Sequence, residues 1–252
     1  MFKCSIMIIL SSLIVAHRGG AQIGNENTLS AFENAIAVGS DMVELDVHMT
    51  KDGHVVVCHD FSINRTTDSR GVIEELSLEE FKQAHALDRE TGEATNETLP
   101  TLEEALRLMK DRTKILIEIK RRYAEQYPGM EQKIVDEVNR LNMKDQVIVQ
   151  SFDDQAIFTM NRIDPTIRLE KLLFCRLPFG RCFDGKITTF SFDKYRCCKS
   201  LNLMYQCAGK KFVSEAHAAG FEVKVWTVNS PKDVPENVDG IITNRPDLFS
   251  KK

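Results

Sequence analysis

Short β-branched runs alternate with helix-patterned segments along almost the whole chain, and this rhythm restricts the fold more than any other feature. Leu13-Ile14-Val15-Ala16 is followed by a helical pattern over residues 28–38 that stops at Gly39. Further apolar runs lie at residues 42–47, 115–119, 147–150, 167–173, 221–228 and 239–243. Helical patterns at 101–110, 130–141, 154–163 and 211–219 fall between them. Strands alternating with helices of this length predict a parallel sheet. Seven strands are plain, and an eighth is expected within residues 188–204, where the pattern is poor. Eight βα units in 252 residues match the size of a closed (β/α)8 TIM barrel, an α/β fold read here as one domain over residues 1–252.

One stretch breaks the rhythm. Val47 is joined to Val55-Val56-Val57 through Lys51-Asp52-Gly53-His54, too short for a crossover helix. Asp-Gly between apolar runs predicts a β-hairpin. With Asp52-Gly53 as a two-residue loop, His48 lies opposite Val57 and Asp46 opposite His59, which places Glu44, Asp46 and His59 on one face. A three-residue loop shifts that register by one. Residues of about 47–99 then form a small insertion after strand two.

Composition narrows the classes of function. The chain is 42% hydrophobic and 28% charged, which excludes disorder and coiled coil. A net charge of −4 gives no basic field, so nucleic acid is not an expected partner. The apolar stretch 6–16 is too short to span a bilayer, and it reads as a buried strand delivering His17-Arg18-Gly19-Gly20 rather than as a cleaved leader. A cytoplasmic location follows as an expectation. The seven cysteines contain no paired C-x-x-C, and five of them fall at Cys175, Cys182, Cys197, Cys198 and Cys207; reduced thiols are expected.

Three features fall at predicted strand ends, where a barrel of this kind builds its active site. They are His17-Arg18 after strand one, Glu44-x-Asp46 on strand two, and Glu118-x-Lys120 near residue 117. Three converging carboxylates repel one another unless a hard cation joins them, and oxygen-only ligation suits Mg²⁺ or Ca²⁺ rather than zinc. His17 and His59 can move protons near neutral pH. Arg18 and Lys120 suit an anionic substrate such as a phosphate. Together these residues point to phosphoester hydrolysis. Spacing alone leaves a blander reading open, in which the carboxylates are salt-bridged surface groups and Glu118 with Lys120 is simple charge alternation. His48, His54, His85 and His217 read as bystanders, although His48 shares the predicted face of Asp46.

Longer segments resemble a known family. Ala16-His17-Arg18-Gly19, then Glu26-Asn27-Thr28 with Ala31-Phe32, look like the opening of the glycerophosphodiester phosphodiesterases. The likeness continues through Val43-Glu44-Leu45-Asp46-Val47, Thr50-Lys51-Asp52-Gly53, Val57-Cys58-His59-Asp60 and Arg65-Thr66-Thr67. It extends to Leu99-Pro100-Thr101-Leu102, Glu118-Ile119-Lys120, Gln150-Ser151-Phe152, Val225-Trp226-Thr227-Val228-Asn229 and Gly240-Ile241-Ile242-Thr243 with Pro246-Asp247, covering essentially the whole chain in order.

The resemblance implies a barrel with an insertion after strand two. It implies that Glu44, Asp46 and Glu118 bind one divalent cation, Mg²⁺ or Ca²⁺, and that His17 and His59 are the acid–base pair. Arg18 and Lys120 would hold the phosphate and Trp226 would face the glycerol, with Asn27 and Gln150 shaping the site. The expected reaction is hydrolysis of a small glycerophosphodiester, such as glycerophosphocholine or glycerophosphoethanolamine, to glycerol 3-phosphate and an alcohol. The alternative is a lysophospholipase D or sphingomyelinase D-like enzyme that takes a lipid against an apolar wall at residues 172–183. Departures from the family pattern concentrate between residues 170 and 211 and at Thr243-Asn244-Arg245-Pro246, so they bear on substrate choice.

Overall fold

The computed structural model describes residues 12–122, 126–176, 181–183 and 190–249. In chain order its first elements are β1 (Leu13–Ala16), α1 (Leu29–Ala37), β2 (Met42–Met49) and β3 (Val55–Val57). Next come α2 (Leu78–Lys82), β4 (His85–Leu87), β5 (Ala94–Thr98), α3 (Leu102–Met109), β6 (Lys114–Ile119) and α4 (Met130–Arg140). The rest are β7 (Val147–Ser151), α5 (Asp154–Ile163), β8 (Arg168–Arg176), β9 (Arg181–Phe183), β10 (Cys198–Met204), α6 (Lys210–Ala218), β11 (Glu222–Trp226) and β12 (Gly240–Thr243).

Eight of these strands run parallel in the order β1-β12-β11-β10-β8-β7-β6-β2, and β2 returns to pair with β1. The sheet therefore closes, and the expected (β/α)8 barrel is the fold. The expected eighth strand is β10. Between β11 and β12 the crossover is reduced to a 3-10 turn at Pro231–Asp233. The apolar residues 6–11 and part of the window expected for the eighth strand, 188–189, lie outside the described residues.

Alternation along each strand divides the barrel into two environments. Val43, Leu45 and Val47 of β2, with Ile115, Ile117 and Ile119 of β6, point outward and pack against Phe32, Leu106 and Ile134 of the helices. The inward positions Val15, Met42, Leu116, Ile148 and Ile242 fill one part of the interior. Other inward positions are polar or charged and buried, among them Glu44, Asp46, Gln150, Glu170, Asn202 and Lys224. Helix starts are set by side chains. Thr28 caps α1 through the Ala31 amide, Thr101 and Glu104 form a reciprocal capping box on α3, and Asp153 caps α5.

Between β2 and α3 the chain leaves the barrel and builds a small core of its own around Val56, Ile63, Ile73, Phe81 and Leu99. Its first turn corrects the expected register. Val47 lies opposite Val57 and His48 opposite Val56, one residue away from the two-residue-loop alignment. Thr50 and His54 close the loop, with the Thr50 amide donating to the His54 carbonyl and the Gly53 amide to the Thr50 carbonyl. Only Gly53 takes a positive φ (84°), so the loop has three residues, with Gly53 in the left-handed position. Asp52 favours this form because its carboxylate accepts from the Thr50 hydroxyl at 2.7 Å and from the Leu78 amide at 3.1 Å. Cys58, not His59, consequently faces Asp46 across the ladder.

Cys58, Cys197 and Cys198 are free thiols, and Cys207 is buried. The other cysteine side chains, Cys4, Cys175 and Cys182, lie outside the described ones. No helix among the described residues is long and apolar enough to cross a membrane. Gly53→Ala puts a Cβ on a left-handed residue, and a urea titration should show it costing about 1–2 kcal/mol. Unchanged stability would contradict the three-residue loop.

Candidate active site

Strands β2 and β6 deliver the acidic cluster. Register places Asp46 beside Glu118 on adjacent strands, with Glu44 one inward position below on β2. Glu44, Asp46 and Glu118 are buried, and each offers an oxygen within 4.8 Å of the others. Glu44 Oε2 accepts from the Arg18 amide at 2.8 Å. Asp46 Oδ2 accepts from Asn27 Nδ2 at 2.9 Å and lies 3.4 Å from Arg18 Nε. Lys120 Nζ sits 2.9 Å from Asp46 Oδ1 and 2.5 Å from Glu118 Oε1.

Backbone shape aims these groups. Arg18 has a φ of 53° and Asn27 one of 59°, a region in which Asn is tolerated and Arg is strained. The bend turns the Arg18 amide onto Glu44 while its guanidinium reaches Glu26 at 2.9 Å. Gly19 follows with a φ of 79°, and a Cβ there would come within 2.9 Å of Ala31 and Phe32. Only glycine lets the turn pack this closely on α1.

Both histidines reach the site from beyond the strand ends. His17 Nδ1 is 2.6 Å from Asn244 Oδ1, so the amide oxygen accepts the Nδ1 proton and leaves Nε2 as the ring's free nitrogen. His59 Nδ1 is 2.7 Å from Asp60 Oδ1. Arg65 in turn bridges Asp60 at 2.7 Å and Glu26 through a two-pronged contact at 2.9 and 2.7 Å. His48 touches the site indirectly, its Nε2 lying 3.2 Å from the His59 carbonyl while Nδ1 meets the Tyr127 hydroxyl at 2.8 Å. His54, His85 and His217 stand beside Asp52, Asp68 and Asp239 at the surface.

Electrostatics follow from burial among these charges. Burial and the Arg18 guanidinium push the His17 imidazole down to about 4, against the pull of Asp46 and Asn244. Burial also lowers His59, with Asp46 pulling the other way. Burial works against a charge on Asp46, but Lys120 and Arg18 outweigh it and hold this carboxyl well below its ordinary range. Glu44 moves up through burial and the charges of Asp46 and Glu118. Glu118 also moves up, because burial and Asp46 together exceed the help from Lys120. Burial opposes the charge of Lys120, yet its two carboxylate neighbours raise its pKa.

This donor set fits a hard cation. The three groups supply oxygen only, two of them are disfavoured as carboxylates without further positive charge, and Asp46 Oδ1 is buried without a well-formed hydrogen bond. The cluster opens into a cavity of about 140 Å³ lined by His17, Arg18, Glu44, His59, Glu118, Lys120 and Gln150, with Phe152, Leu172 and Trp226 on the apolar side. Phe152 stacks on Phe174 at 4.2 Å and meets Trp226 edge-on at 5.6 Å. A wider cleft of about 560 Å³ lies away from this chemistry, between the hairpin and helices α3 and α4, and is lined largely by charged residues.

All eight residues singled out from the sequence are therefore at one mouth. Asn244, Asp60, Arg65 and Glu26 were not singled out as site residues. Asp60 had a local signal, because it directly follows His59, and Asn244 had a weaker one as the first residue past β12.

The profile of the Glycerophosphoryl diester phosphodiesterase family matches residues 17–248. A glycerophosphodiester phosphodiesterase from Bacillus altitudinis is 34% identical over 246 residues, covering 94% of this chain and 96% of that protein. A crystal structure of a glycerophosphoryl diester phosphodiesterase from Silicibacter pomeroyi superposes with a TM-score of 0.81 at 25% identity, covering 94% of this chain and 91% of that one. A phosphodiesterase from Oleispira antarctica, solved in complex with the product sn-glycerol-3-phosphate, has the same fold, with a TM-score of 0.77 at 24% identity and coverage of 95% and 96%. The chain belongs to the glycerophosphoryl diester phosphodiesterase family, a family of hydrolases.

Proposed function

We propose that this enzyme hydrolyses small glycerophosphodiesters, such as glycerophosphocholine and glycerophosphoethanolamine, to glycerol 3-phosphate and the free alcohol. The observation that carries this reading is the meeting of two histidines, two cations and three carboxylates around one small cavity. The glycerol 3-phosphate bound to the Oleispira antarctica relative agrees with a phosphate-bearing glycerol as the retained fragment. Release of glycerol 3-phosphate, compared across glycerophosphocholine, glycerophosphoethanolamine and a lysophospholipid, tests it. Preference for the lysophospholipid would favour the lipid reading instead. That reading draws on an apolar wall of which Leu172 lines the cavity and Phe174 is half-exposed, while residues 177–180 lie outside the described ones.

In this reading Glu44, Asp46 and Glu118 hold one Mg²⁺ or Ca²⁺. The bound ion supplies Lewis-acid stabilisation of charge on a phosphate oxygen. Arg18 and Lys120 hold the remaining phosphate oxygens, and both are already oriented by Asp46. Trp226 faces the glycerol, with its buried indole N–H lacking a hydrogen-bond partner among the described residues. One histidine accepts the proton of the nucleophile and the other protonates the leaving alcohol. The nucleophile is water, or the neighbouring glycerol hydroxyl through a cyclic phosphate. Burial keeps His17 neutral at neutral pH, so its Nε2 is suited to accept a proton, while Asn244 fixes the tautomer. His59 is oriented by Asp60 on one side and by the His48 contact to its carbonyl on the other.

Exhaustive EDTA treatment should abolish turnover, and Mg²⁺ or Ca²⁺ should restore it; full activity after dialysis would remove the cation from the mechanism. His17→Ala or His59→Ala should lower kcat by about 10²–10⁴ while cation binding, read by calorimetry, stays near wild type. Asp46→Asn should weaken cation binding instead, and a histidine variant that loses the cation equally would make that histidine a ligand. Asn244→Ala should lower kcat by about tenfold, a fraction of what a positioned acid or base supplies, with KM little changed. An unaltered kcat would show that His17 needs no tautomer control from Asn244.

A further inference from the structure

The barrel interior holds a second set of buried charges that the proposed reaction does not use. Glu170 on β8 and Lys224 on β11 are both fully buried, and Lys224 Nζ lies 2.5 Å from Glu170 Oε1. Arg168 Nε approaches the same oxygen at 3.4 Å. The aliphatic stem of Lys224 runs over Gly240 of β12, where a Cβ would come within 2.9 Å of Lys224 Cγ. A glycine is needed there for the lysine to cross the interior. Asn202, on β10 between the two charged strands, donates through Nδ2 to Glu170 Oε2 at 2.9 Å and to Gln150 Oε1 at 2.8 Å. Its own carbonyl oxygen accepts from the Ser200 hydroxyl at 2.8 Å. Gln150 Nε2 then faces Glu44 Oε1 at 3.5 Å.

These contacts have a single polarity. An ammonium can only donate and a carboxylate only accept, so Glu170 fixes which end of the Asn202 amide faces it. Both Asn202 amide protons are then committed, one to Glu170 and one to Gln150. Gln150 must present its oxygen to Asn202 and its NH₂ to Glu44. The flipped Gln150 amide would set NH₂ against NH₂ at one end and oxygen against carboxylate at the other. Glu44 thereby meets a donor at each oxygen, the Arg18 amide at Oε2 and the Gln150 amide at Oε1.

We propose that Glu170, anchored by Lys224, is a positioning residue for the catalytic mouth, acting through Asn202 and Gln150 to set the direction of the Glu44 carboxylate. The inference rests on the reading that Glu44 helps to hold a cation. Partners that orient metal ligands from behind commonly change affinity by about 10–100-fold when removed. A merely structural pair behaves differently, because replacing both members of a buried ion pair with apolar residues often leaves stability unchanged or raised.

The test separates affinity from folding. Calorimetric titration of Mg²⁺, and in parallel Ca²⁺, is carried out on the wild-type protein, on E170M/K224M, on N202L and on the combined variant, with thermal unfolding of each as the control. E170M/K224M removes the anchor and leaves Arg168 paired with Glu222, whereas N202L cuts the chain and leaves the ion pair in place. Each should bind the cation about tenfold more weakly or worse, and the combined variant should be little worse than either, because both changes interrupt one chain. If E170M/K224M does not fold, N202L carries the same prediction alone. Affinity within about twofold of wild type in a folded variant, or losses that simply add, would overturn the inference while leaving the three-carboxylate reading intact. Absence of cation binding by the wild-type protein would overturn that reading and this inference with it.

Discussion

The negative charge on Asp46 is the constraint around which the barrel mouth is arranged. Taking a carboxylate fully out of water carries an effective penalty of several kcal/mol, and an ionised one survives only among donors and opposite charges. Asp46 has Lys120 at 2.9 Å, Asn27 at 2.9 Å and Arg18 at 3.4 Å. Arg18 and Asn27 come from the loop after β1 and Lys120 from just past β6, so one buried charge ties both segments to β2. The arrangement also pre-orients Arg18 and Lys120, the two side chains suited to a phosphate. Glu44 and Glu118 lack equal compensation, and their raised pKa values mark where further positive charge is wanted.

In the proposed mechanism a division of labour follows from where the groups sit. The carboxylates stand on β2 and β6 inside the barrel, where neighbouring strands fix their spacing. The histidines lie beyond the strand ends and are steadied individually, His17 by Asn244 and His59 by Asp60 and His48. Ligation demands fixed distances, whereas proton transfer needs a defined tautomer at the correct edge of the cavity. The rigid scaffold supplies the first and short polar contacts supply the second.

The sequence makes legible whatever is encoded locally. The strands from β1 to β7 that enter the barrel carry apolar, largely β-branched runs between helix caps and glycines; His17, Arg18 and Lys120 fall just past strand ends, and Glu44, Asp46 and Glu118 lie on β2 and β6 themselves. β10 is harder to read because its inward residues, Ser200 and Asn202, are polar. The polar part of the interior makes a buried strand look solvent-facing. The hairpin register is also concealed, since Asp52-Gly53 suits two loop lengths and the Leu78 amide, 26 residues away, helps to decide between them. His59 still reaches the site after the one-residue shift, because the chain departs from the ladder after Cys58 and carries it over the mouth. Asn244 meets His17 from 227 residues away, a contact that no local pattern announces.

The account turns on the three carboxylates, and not the histidines, holding the cation. Anomalous diffraction from crystals of the protein grown with Mn²⁺ and glycerol 3-phosphate locates the ion directly. The account predicts one peak within about 2.5 Å of oxygens from Glu44, Asp46 and Glu118, with both imidazoles outside ligand distance. A peak bonded to His17 or His59, or a mouth that holds glycerol 3-phosphate with no ion beside these carboxylates, would contradict it.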